Sequence, residues 1–320
     1  MEGMTQMRSP QLLIPVLLLL AGCGEDKVTT PPPPENPIPV FETTWGTHGG
    51  DTGEFFQPTA LATGPDGSVY VLDNQNRRVQ KFTNEGAFVK SWGDSMPPTY
   101  SPLLRGVAVS ADRVYVSDLG TGYTYVYTTN GDFLDKWDFI SMDSGLAVDP
   151  DGNVVLSGYQ VLRRGISFDL LGPYVWRLAP DGQILARWTL NVLQIAVDRE
   201  GNMYGLTTKW KEDGTPRGFV FKFSPSGMFI TKFGTPDRIS VYDAIAIGSN
   251  GDIYVANRPD ASIYRFAPDG EILATWSEFS TDISALEWPA GVAMDGDDDL
   301  FVTDFELDRV VKWSGASPTP

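Results

Sequence analysis

Short apolar segments separated by turn residues recur along most of the chain. One element reads glycine, any residue, two apolar residues, any two residues and then an aromatic residue. Similarity within one chain at a nearly constant interval indicates a repeat architecture, and short apolar runs between turn residues predict β-strands. The element occurs at 86–92, 131–137, 182–188, 227–233 and 270–276.

Further apolar segments predict three more strands in each repeat. An apolar-Ala-apolar segment leads through a turn such as Pro65-Asp66-Gly67 into a second apolar run, and a third run ends four residues before the repeated glycine. Aspartate and glycine suit such turns because glycine readily adopts positive φ. The spacing therefore predicts six units of about four short strands. The central alanines are Ala62, Ala108, Ala147, Ala196, Ala246 and Ala293.

Six such units predict an all-β fold, a six-bladed β-propeller of four-stranded antiparallel blades. A single unit cannot bury both faces, whereas units that pack face to face around an axis can. The sixth unit lacks its last strand, because the chain ends at 317–320 where the other units place their glycine. We expect an N-terminal strand at 39–45, which ends in the aromatic Trp45, to complete the last blade. A linear β-solenoid is the alternative, although it needs no strand shared between the termini.

The beginning of the chain predicts a secretory signal. The apolar run from Leu12 to Ala21 is too short to span a bilayer as a mature helix. It leads into Leu20-Ala21-Gly22-Cys23, which resembles the bacterial lipobox, the motif in which the cysteine thiol is acylated. A buried N-terminal helix with an incidental cysteine is the alternative.

The lipobox resemblance implies a division of the chain into three parts. We expect a lipoprotein signal peptide at 1–22, a lipidated Cys23 that opens a proline-rich tether at 23–38, and the propeller at 39–320. The tether should be extended, because proline-rich segments favour polyproline geometry. The body would then be extracytoplasmic and lipid-anchored to the bacterial cell envelope, at the outer membrane in a Gram-negative cell.

Several motifs of the first unit together resemble an NHL repeat. They include Trp45-Gly46, Phe56-Gln57-Pro58, Pro65-Asp66-Gly67 and Asn76-Arg77-Arg78-Val79. The resemblance is weaker in the other five units and covers about residues 39–316. NHL-like propellers include RNA-binding modules, protein-interaction modules, an amidating lyase and bacterial surface proteins, so the resemblance implies the fold and narrows function little.

Composition excludes several kinds of function. The 24 Lys+Arg against 41 Asp+Glu give a net charge of −17, which argues against nucleic-acid binding because phosphate contacts need a basic face. A single cysteine and a single histidine leave no disulfide framework and no multi-histidine zinc site. No cofactor is predicted. A weak calcium pattern matches part of an EF-hand loop but lacks its glycine and its helices, at Asp295, Asp297, Asp299 and Glu306.

The first candidate site lies in the connections between the second and third strands. These open onto the face with which such propellers usually bind. Four units have five residues there, whereas unit three has 16 between Gly158 and Val175 and unit four has 12 between Thr207 and Val220. The two long loops predict a cationic, aromatic wall for an anionic ligand. Solvated loop tips without function are the alternative. The candidate residues are Arg163, Arg164, Lys209 and Trp210.

The second candidate site is the central channel, which the first strands should line. Arg105 and Asp243 would be charged groups among small or apolar ones, so they must be paired or hydrated. They are candidate ligand-binding residues, or they bridge each other through water. A separate repeated position is expected to hold the local turns through side-chain hydrogen bonds. That position contains Asp73, Asp118, Asn257 and Asp304.

Two classes of function remain open, and a third is a further alternative. The first is a membrane-tethered binding propeller with a monomeric body that recognises a protein, peptide or glycan. The second is a metal-dependent hydrolase or lyase with a divalent ion in the channel. Three carboxylate or amide oxygens converging there would favour the enzyme. The third is a structural part of an envelope complex without a small ligand.

Overall fold

Apolar runs bounded by proline, aspartate and glycine turns form the strands of this computed structural model. It describes residues 39–93, 103–164, 167–235, 240–276 and 285–315, apart from the side chains of 140–144, 164 and 168. The predicted signal peptide, Cys23 and the predicted tether lie outside the described residues. No described residue belongs to a helix long and apolar enough to cross a bilayer.

The described residues form 24 strands in six four-stranded antiparallel sheets. The first sheet contains β2 (Pro58–Thr63), β3 (Val69–Asp73), β4 (Arg78–Phe82) and β5 (Phe88–Trp92). The second contains β6 (Leu104–Val109), β7 (Arg113–Asp118), β8 (Tyr123–Thr128) and β9 (Phe133–Trp137). The third contains β10 (Phe139–Val148), β11 (Val154–Arg164), β12 (Ser167–Leu178) and β13 (Ile184–Trp188).

The remaining three sheets continue in chain order. The fourth contains β14 (Gln194–Val197), β15 (Met203–Trp210), β16 (Pro216–Phe223) and β17 (Phe229–Gly234). The fifth contains β18 (Tyr242–Ile247), β19 (Ile253–Asn257), β20 (Ser262–Phe266) and β21 (Ile272–Trp276). The last contains β22 (Pro289–Met294), β23 (Leu300–Asp304), β24 (Arg309–Ser314) and β1 (Val40–Trp45).

The first strands of the six sheets contact one another in a closed ring, in which β2 touches both β6 and β22. This confirms the predicted six-bladed propeller and excludes the linear solenoid. Apolar side chains fill the space between neighbouring blades, as where Tyr70 and Leu72 of blade one meet Val107 and Val116 of blade two. Removal of this apolar surface from water is the main stabilising contribution.

The N-terminal strand closes the ring as predicted. β1 runs antiparallel to β24, with Val40 opposite Ser314 and Trp45 opposite Val310. The ladder therefore joins the first and last blades and covers the edge that β24 would otherwise expose.

The propeller has two faces. The face that carries the turns between first and second strands, where Val40 lies, is named the turn face. The opposite face, which carries the connections between second and third strands, is the mouth face.

The repeated glycine and the repeated aromatic residue contact each other between neighbouring blades. A Cβ on Gly86 would lie 2.7 Å from the ring of Trp45, and a Cβ on Gly131 would lie 2.6 Å from the ring of Trp92. Both glycines also have positive φ, at 83° and 82°. Each glycine thus permits a tight turn, and its lack of a side chain leaves room for the aromatic ring of the preceding blade. This explains why the glycine and the aromatic residue recur together.

The two long connections are paired ribbons, so the prediction of loops was wrong. β11 and β12 pair from Val154 opposite Leu178 to Arg164 opposite Ser167, with one shift of register after Gly158. β15 and β16 stay in register from Met203 opposite Phe223 to Trp210 opposite Pro216. The inserted residues satisfy each other's backbone hydrogen-bonding groups by pairing.

An ion network crosses the closing ladder. Lys312 Nζ lies 2.7 Å from Glu42 Oε2 on β1 and 2.8 Å from Asp299 Oδ2 beside β23. The hydrogen bond from Lys312 holds the pKa of Glu42 below its ordinary value, and burial of the carboxyl opposes this effect. The network therefore links the closing strand to the blade it completes.

We expect Glu42→Gln to lower the melting temperature at pH 7 by an amount that disappears in acid. A carboxyl whose pKa is lowered by folding contributes stability above its unfolded pKa, and loses it as pH falls through the folded pKa. The side chain of Glu42 is 38% exposed, so the contribution should not exceed about 1 kcal/mol. Thermal melts from pH 7 to pH 3, with the exposed Glu271→Gln as control, measure it. A difference between Glu42→Gln and the wild type that persists at pH 3 would contradict this assignment.

Candidate functional site

β-Bulges aim four side chains at the channel mouth. In four blades the first strand contains one unpaired extra residue, between the pairs Leu104–Asp118 and Gly106–Ser117 in blade two, for example. Bulges often redirect a side chain at the rim of a barrel or next to a site. The extra residues are Thr59, Arg105, Asp243 and Ala290.

In three of the four bulged blades, the repeated Asp or Asn fixes the chain beside the bulge. Asp73 Oδ1 accepts the backbone N–H of Phe56 at 2.8 Å, and Asn257 Oδ1 accepts that of Val241 at 2.9 Å. Asp304 accepts the N–H of Trp288 at 3.1 Å. The expected structural role is confirmed and extends further than expected, because these side chains hold the segment leading into the first strand as well as their own turns.

A cavity of about 350 Å³ opens at the mouth of the channel. All four bulge residues line it, including both channel candidates, Arg105 and Asp243. Trp210 reaches the same cavity from the β15–β16 ribbon. The structure therefore brings three of the candidate site residues together, and these are Arg105, Asp243 and Trp210.

Asp243 is held by two neighbours on the cavity wall. Its Oδ2 lies 3.3 Å from Nε of Arg258, and its backbone oxygen accepts a hydrogen bond of 2.5 Å from Nε2 of Gln194. The Arg258 guanidinium lies 4.8 Å from the ring centroid of Trp288, where cation–π attraction adds to the ion pair. Asp243 thus forms a direct ion pair with Arg258.

Arg105 lies in the cavity wall without a counter-ion among the described residues. Its Nε is buried and has no hydrogen-bond partner within the described part of the chain. Guanidinium nitrogens carry only donors, and a buried donor without an acceptor costs free energy. The mouth therefore contains a cation whose hydrogen bonding a ligand can complete.

Aromatic rings form the apolar part of the cavity. Trp288 and Phe305 lie with ring centroids 4.7 Å apart, and Trp210 is 69% exposed at the rim. Tyr242 also lines the cavity, but burial raises its pKa far above the ordinary range and its hydroxyl is hydrogen-bonded to Thr235. Tyr242 therefore acts as a neutral wall, and Trp210 is the ring most available to a ligand.

The sequence analysis did not identify several lining residues, among them Gln194, Arg258, Trp288 and Phe305. Arg258 and Phe305 immediately follow Asn257 and Asp304, so the repeat alignment contained a signal for them. The equivalent residues in the first two blades are Asn74 and Leu119, which made this position look variable. Trp288 belongs to a connection between blades, and its location follows only from ring closure.

Arg163 does not face the mouth cavity. Its Nε lies 2.7 Å from Asp138 Oδ1, and its guanidinium stacks 3.9 Å from the Tyr123 ring centroid. It also donates to the backbone oxygens of Thr121 and Gly122. Arg163 thus fastens the β11–β12 ribbon to blade two. These contacts largely compensate its positive charge.

The predicted cationic wall is therefore not one surface. Lys209 is exposed on the β15–β16 ribbon, 5.9 Å from the ring centroid of Phe221, and does not line the mouth cavity. The side chain of Arg164 is not described. Of the three wall residues whose side chains are described, only Trp210 lines the mouth cavity. Its neighbour Lys209 does not, because successive side chains along a strand point to opposite faces.

Two of the four carboxylates of the calcium pattern have other partners. Asp295 Oδ1 accepts the backbone N–H groups of Asp297 and Asp299, and Asp299 pairs with Lys312. Glu306 follows the other end of β23, on the mouth face. No group of three or more His, Cys, Asp or Glu side chains that could hold a metal ion occurs among the described residues.

Comparison with known proteins gives limited sequence similarity. No family model matches the chain. It is 24% identical over 130 residues to protein brain tumor of Drosophila melanogaster, across 39% of this chain and 12% of that protein. It is 28% identical over 139 residues to B-box type zinc finger protein ncl-1 of Caenorhabditis elegans, across 42% of this chain and 16% of that protein. The aligned segments are thus a small part of either relative.

Solved structures share the architecture over most of the chain. A streptogramin B lyase superposes with a TM-score of 0.55 at 14% identity, covering 87% of both chains. The WD40 β-propeller domain of Doa1 gives 0.54 at 12% identity, covering 86% of this chain and 97% of that one. The Cps50 (Swd1) propeller of Myceliophteria thermophila gives 0.56 at 9% identity, covering 82% and 98%. These likenesses show the propeller fold alone.

Proposed function

We propose that this protein is a membrane-tethered, extracytoplasmic interaction propeller of the NHL type that binds a partner protein with its mouth face. The observation that carries the proposal is the mouth cavity, where exposed Trp210 stands beside Arg105 and the Trp288–Phe305 pair. Tryptophan and arginine are the side chains that most often dominate binding energy at protein interfaces.

The propeller fold is consistent with such an interaction role, although folds of this kind also support catalysis. The metal-dependent alternative needs several oxygen ligands in the channel. Of the cavity residues named above, Asp243 is the one carboxylate, and it pairs with Arg258. No observation on the described residues therefore favours the enzyme, and binding is the function that we develop.

The proposed tether would join the propeller at its turn face. The lipobox-like Leu20-Ala21-Gly22-Cys23 and the prolines at 31–34 support a lipid anchor followed by an extended spacer. The chain enters the propeller at Val40, on the turn face. A lipid at Cys23 would thus be attached through the face opposite the cavity, and several acyl chains would make the anchoring stable.

Site-specific photo-crosslinking in intact bacterial cells that produce the full chain natively tests this function. We expect a benzophenone amino acid at Lys211, next to Trp210 on the mouth face, to give a discrete protein adduct. The same probe at Glu200 is the matched control, because both residues are exposed and belong to blade four but lie on opposite faces. Equal adducts at both positions, or none at Lys211, would contradict the proposal.

Replacement of the anchor residue completes this experiment. Cys23→Ser should abolish incorporation of a radiolabelled fatty acid into the full chain, because the serine hydroxyl does not replace the acylated thiol. A Cys23→Ser chain that is still labelled, or a wild-type chain that is not, would refute the proposed tether without affecting the binding assignment.

A further inference from the structure

We propose that the mouth cavity binds the free C-terminal carboxylate of a partner polypeptide, with Arg105 as the carboxylate-binding residue and the last side chain of the partner packed on the aromatic rings. This names the ligand class of the site in the proposed function and therefore rests on that function. Nothing in the proposal requires a covalent step.

The charge of the cavity selects an anion. Arg105 and Arg258 are its cations and Asp243 is its carboxylate, so these three residues give one net positive charge in a protein whose net charge is −17. The Arg258 guanidinium is already paired with Asp243. The positive charge of Arg105 is therefore the less compensated of the two, and Arg105 is the group that should attract a negatively charged ligand.

The chemistry of Arg105 favours a carboxylate. A guanidinium presents a planar fork of N–H donors, and a carboxylate can accept two of them in parallel. The buried Nε of Arg105 has no acceptor among the described residues. A bound carboxylate would complete the hydrogen bonding of Arg105, and the gain is larger where water is excluded.

The size and apolar surface of the cavity fit the end of a chain. A volume of about 350 Å³ is at the lower end of the range for small-ligand sites, so it suits one or two terminal residues rather than a folded loop. The Trp288–Phe305 pair and Trp210 supply apolar surface beside Arg105. An aliphatic or aromatic last residue would bury its side chain there.

The polar groups of the cavity suit a peptide end better than an acidic sugar. Thr59 Oγ1 donates to the backbone oxygen of Leu104, and Gln194 Nε2 donates to that of Asp243. These groups are therefore already engaged, and a sugar ring would bring several hydroxyls that each need a partner. A terminal residue brings one carboxylate and one amide N–H, so its polar demand is smaller.

Fluorescence polarisation with paired peptides tests the proposal on the full chain in detergent. The probes are fluorescein-labelled hexapeptides Gly-Ser-Gly-Ser-Ala-X, where X is Phe, Leu, Val, Ser, Asp or Lys, each made as free acid and as C-terminal amide. We expect acids ending in Phe, Leu or Val to bind about tenfold or more tightly than their amides, because the amide removes the charged acceptor.

Variants of the cation identify the residue responsible. Arg105→Gln should abolish the preference for acid over amide, while Arg105→Lys should retain part of it. Arg199→Gln is the matched control, since it removes one positive charge from an exposed residue on the turn face. Far-ultraviolet circular dichroism and thermal melts of each variant establish that a lost preference does not reflect a lost fold.

Each other outcome overturns the proposal. Equal binding of acids and amides, no binding of either form, or a preference unchanged in Arg105→Gln removes the carboxylate role. Binding of oligogalacturonate that is lost in Arg105→Gln, without peptide binding, assigns an acidic glycan instead. If the Lys211 adduct persists while the acid preference is absent, the interaction function stands and only this inference falls. If both are absent, both fall.

Discussion

A chain that begins at Gly46 should fail to fold cooperatively, whereas one that begins at Pro39 should melt in a single sharp transition. The seven residues between these starting points contain β1, the fourth strand of the last blade. In the shorter chain, the backbone N–H and C=O groups of β24 that pair with β1, from Val310 to Ser314, lose their hydrogen-bond partners. Each lost hydrogen bond contributes about 1 kcal/mol.

The aromatic residue of the missing strand adds to this loss. The Trp45 ring lies 5.9 Å from that of Phe82 and 6.3 Å from that of Phe301, so it joins blade one to blade six. Loss of a fully buried tryptophan side chain costs about 3–5 kcal/mol, and the partly buried Trp45 should contribute a large part of that, against a total stability of about 5–15 kcal/mol for a typical domain. The sum is large enough to unfold the ring.

Circular dichroism melts of the two chains measure the effect, and two further samples separate its causes. Trp45→Ala in the longer chain should lower the melting temperature by less than the truncation, because the ladder with β24 remains. A synthetic peptide of residues 39–45 added to the shorter chain should restore part of the transition. Equal melting temperatures for the long and short chains would show that the ring closes without β1.

Those parts of the fold that every blade repeats could be predicted from the sequence. The glycine of each outer turn and the ring that packs on it must both be present, as with Gly131 and Trp92, so their spacing survives where other positions vary. The missing strand of blade six could be predicted for the same reason. The repeat demanded an aromatic residue, and Trp45 supplied it.

The ribbons and most of the mouth could not be predicted because they do not repeat. Pairing of β11 with β12 beyond the blade depends on cross-strand partners such as Val161 and Leu170, and their alternation is too short to distinguish a ribbon from a loop. The role of Arg163 depends on Asp138 and Tyr123, which belong to another blade. Contacts of this kind arise only after the ring has closed.

Arg105 and Asp243 were predicted from position, whereas their partners required coordinates. Both occupy the bulge in the first strand, three residues before the central alanine of their blade, so the repeat alone placed them at equivalent points of the channel. Ion pairing within the channel depends on which loop bends inward. Arg258 does so from a short 3₁₀ turn at Arg258–Asp260, and its pairing with Asp243 leaves Arg105 as the cation that a ligand would neutralise.

Gly131→Ala should destabilise the propeller much more than Gly152→Ala, although both glycines have φ of +82°. An alanine at either position carries the cost of left-handed backbone, about 1–2 kcal/mol. A Cβ at Gly131 would also lie 2.6 Å from the Trp92 ring, whereas a Cβ at Gly152 would meet nothing within 4 Å. The Trp92 ring, 9% exposed and packed near Tyr70 and Tyr127, has little room to move. Overpacking should therefore add about 1–3 kcal/mol at Gly131 only.

The free energy of unfolding from guanidinium chloride titrations measures both changes, and a double-mutant cycle assigns the difference to the ring. In a Trp92→Ala background the Cβ at residue 131 has no ring to displace, so Gly131→Ala should cost no more than Gly152→Ala does in the wild type. If the two glycine variants lose equal stability in the wild type, the ring moves aside without cost. The paired recurrence of glycine and aromatic residue would then need an explanation other than their contact between blades.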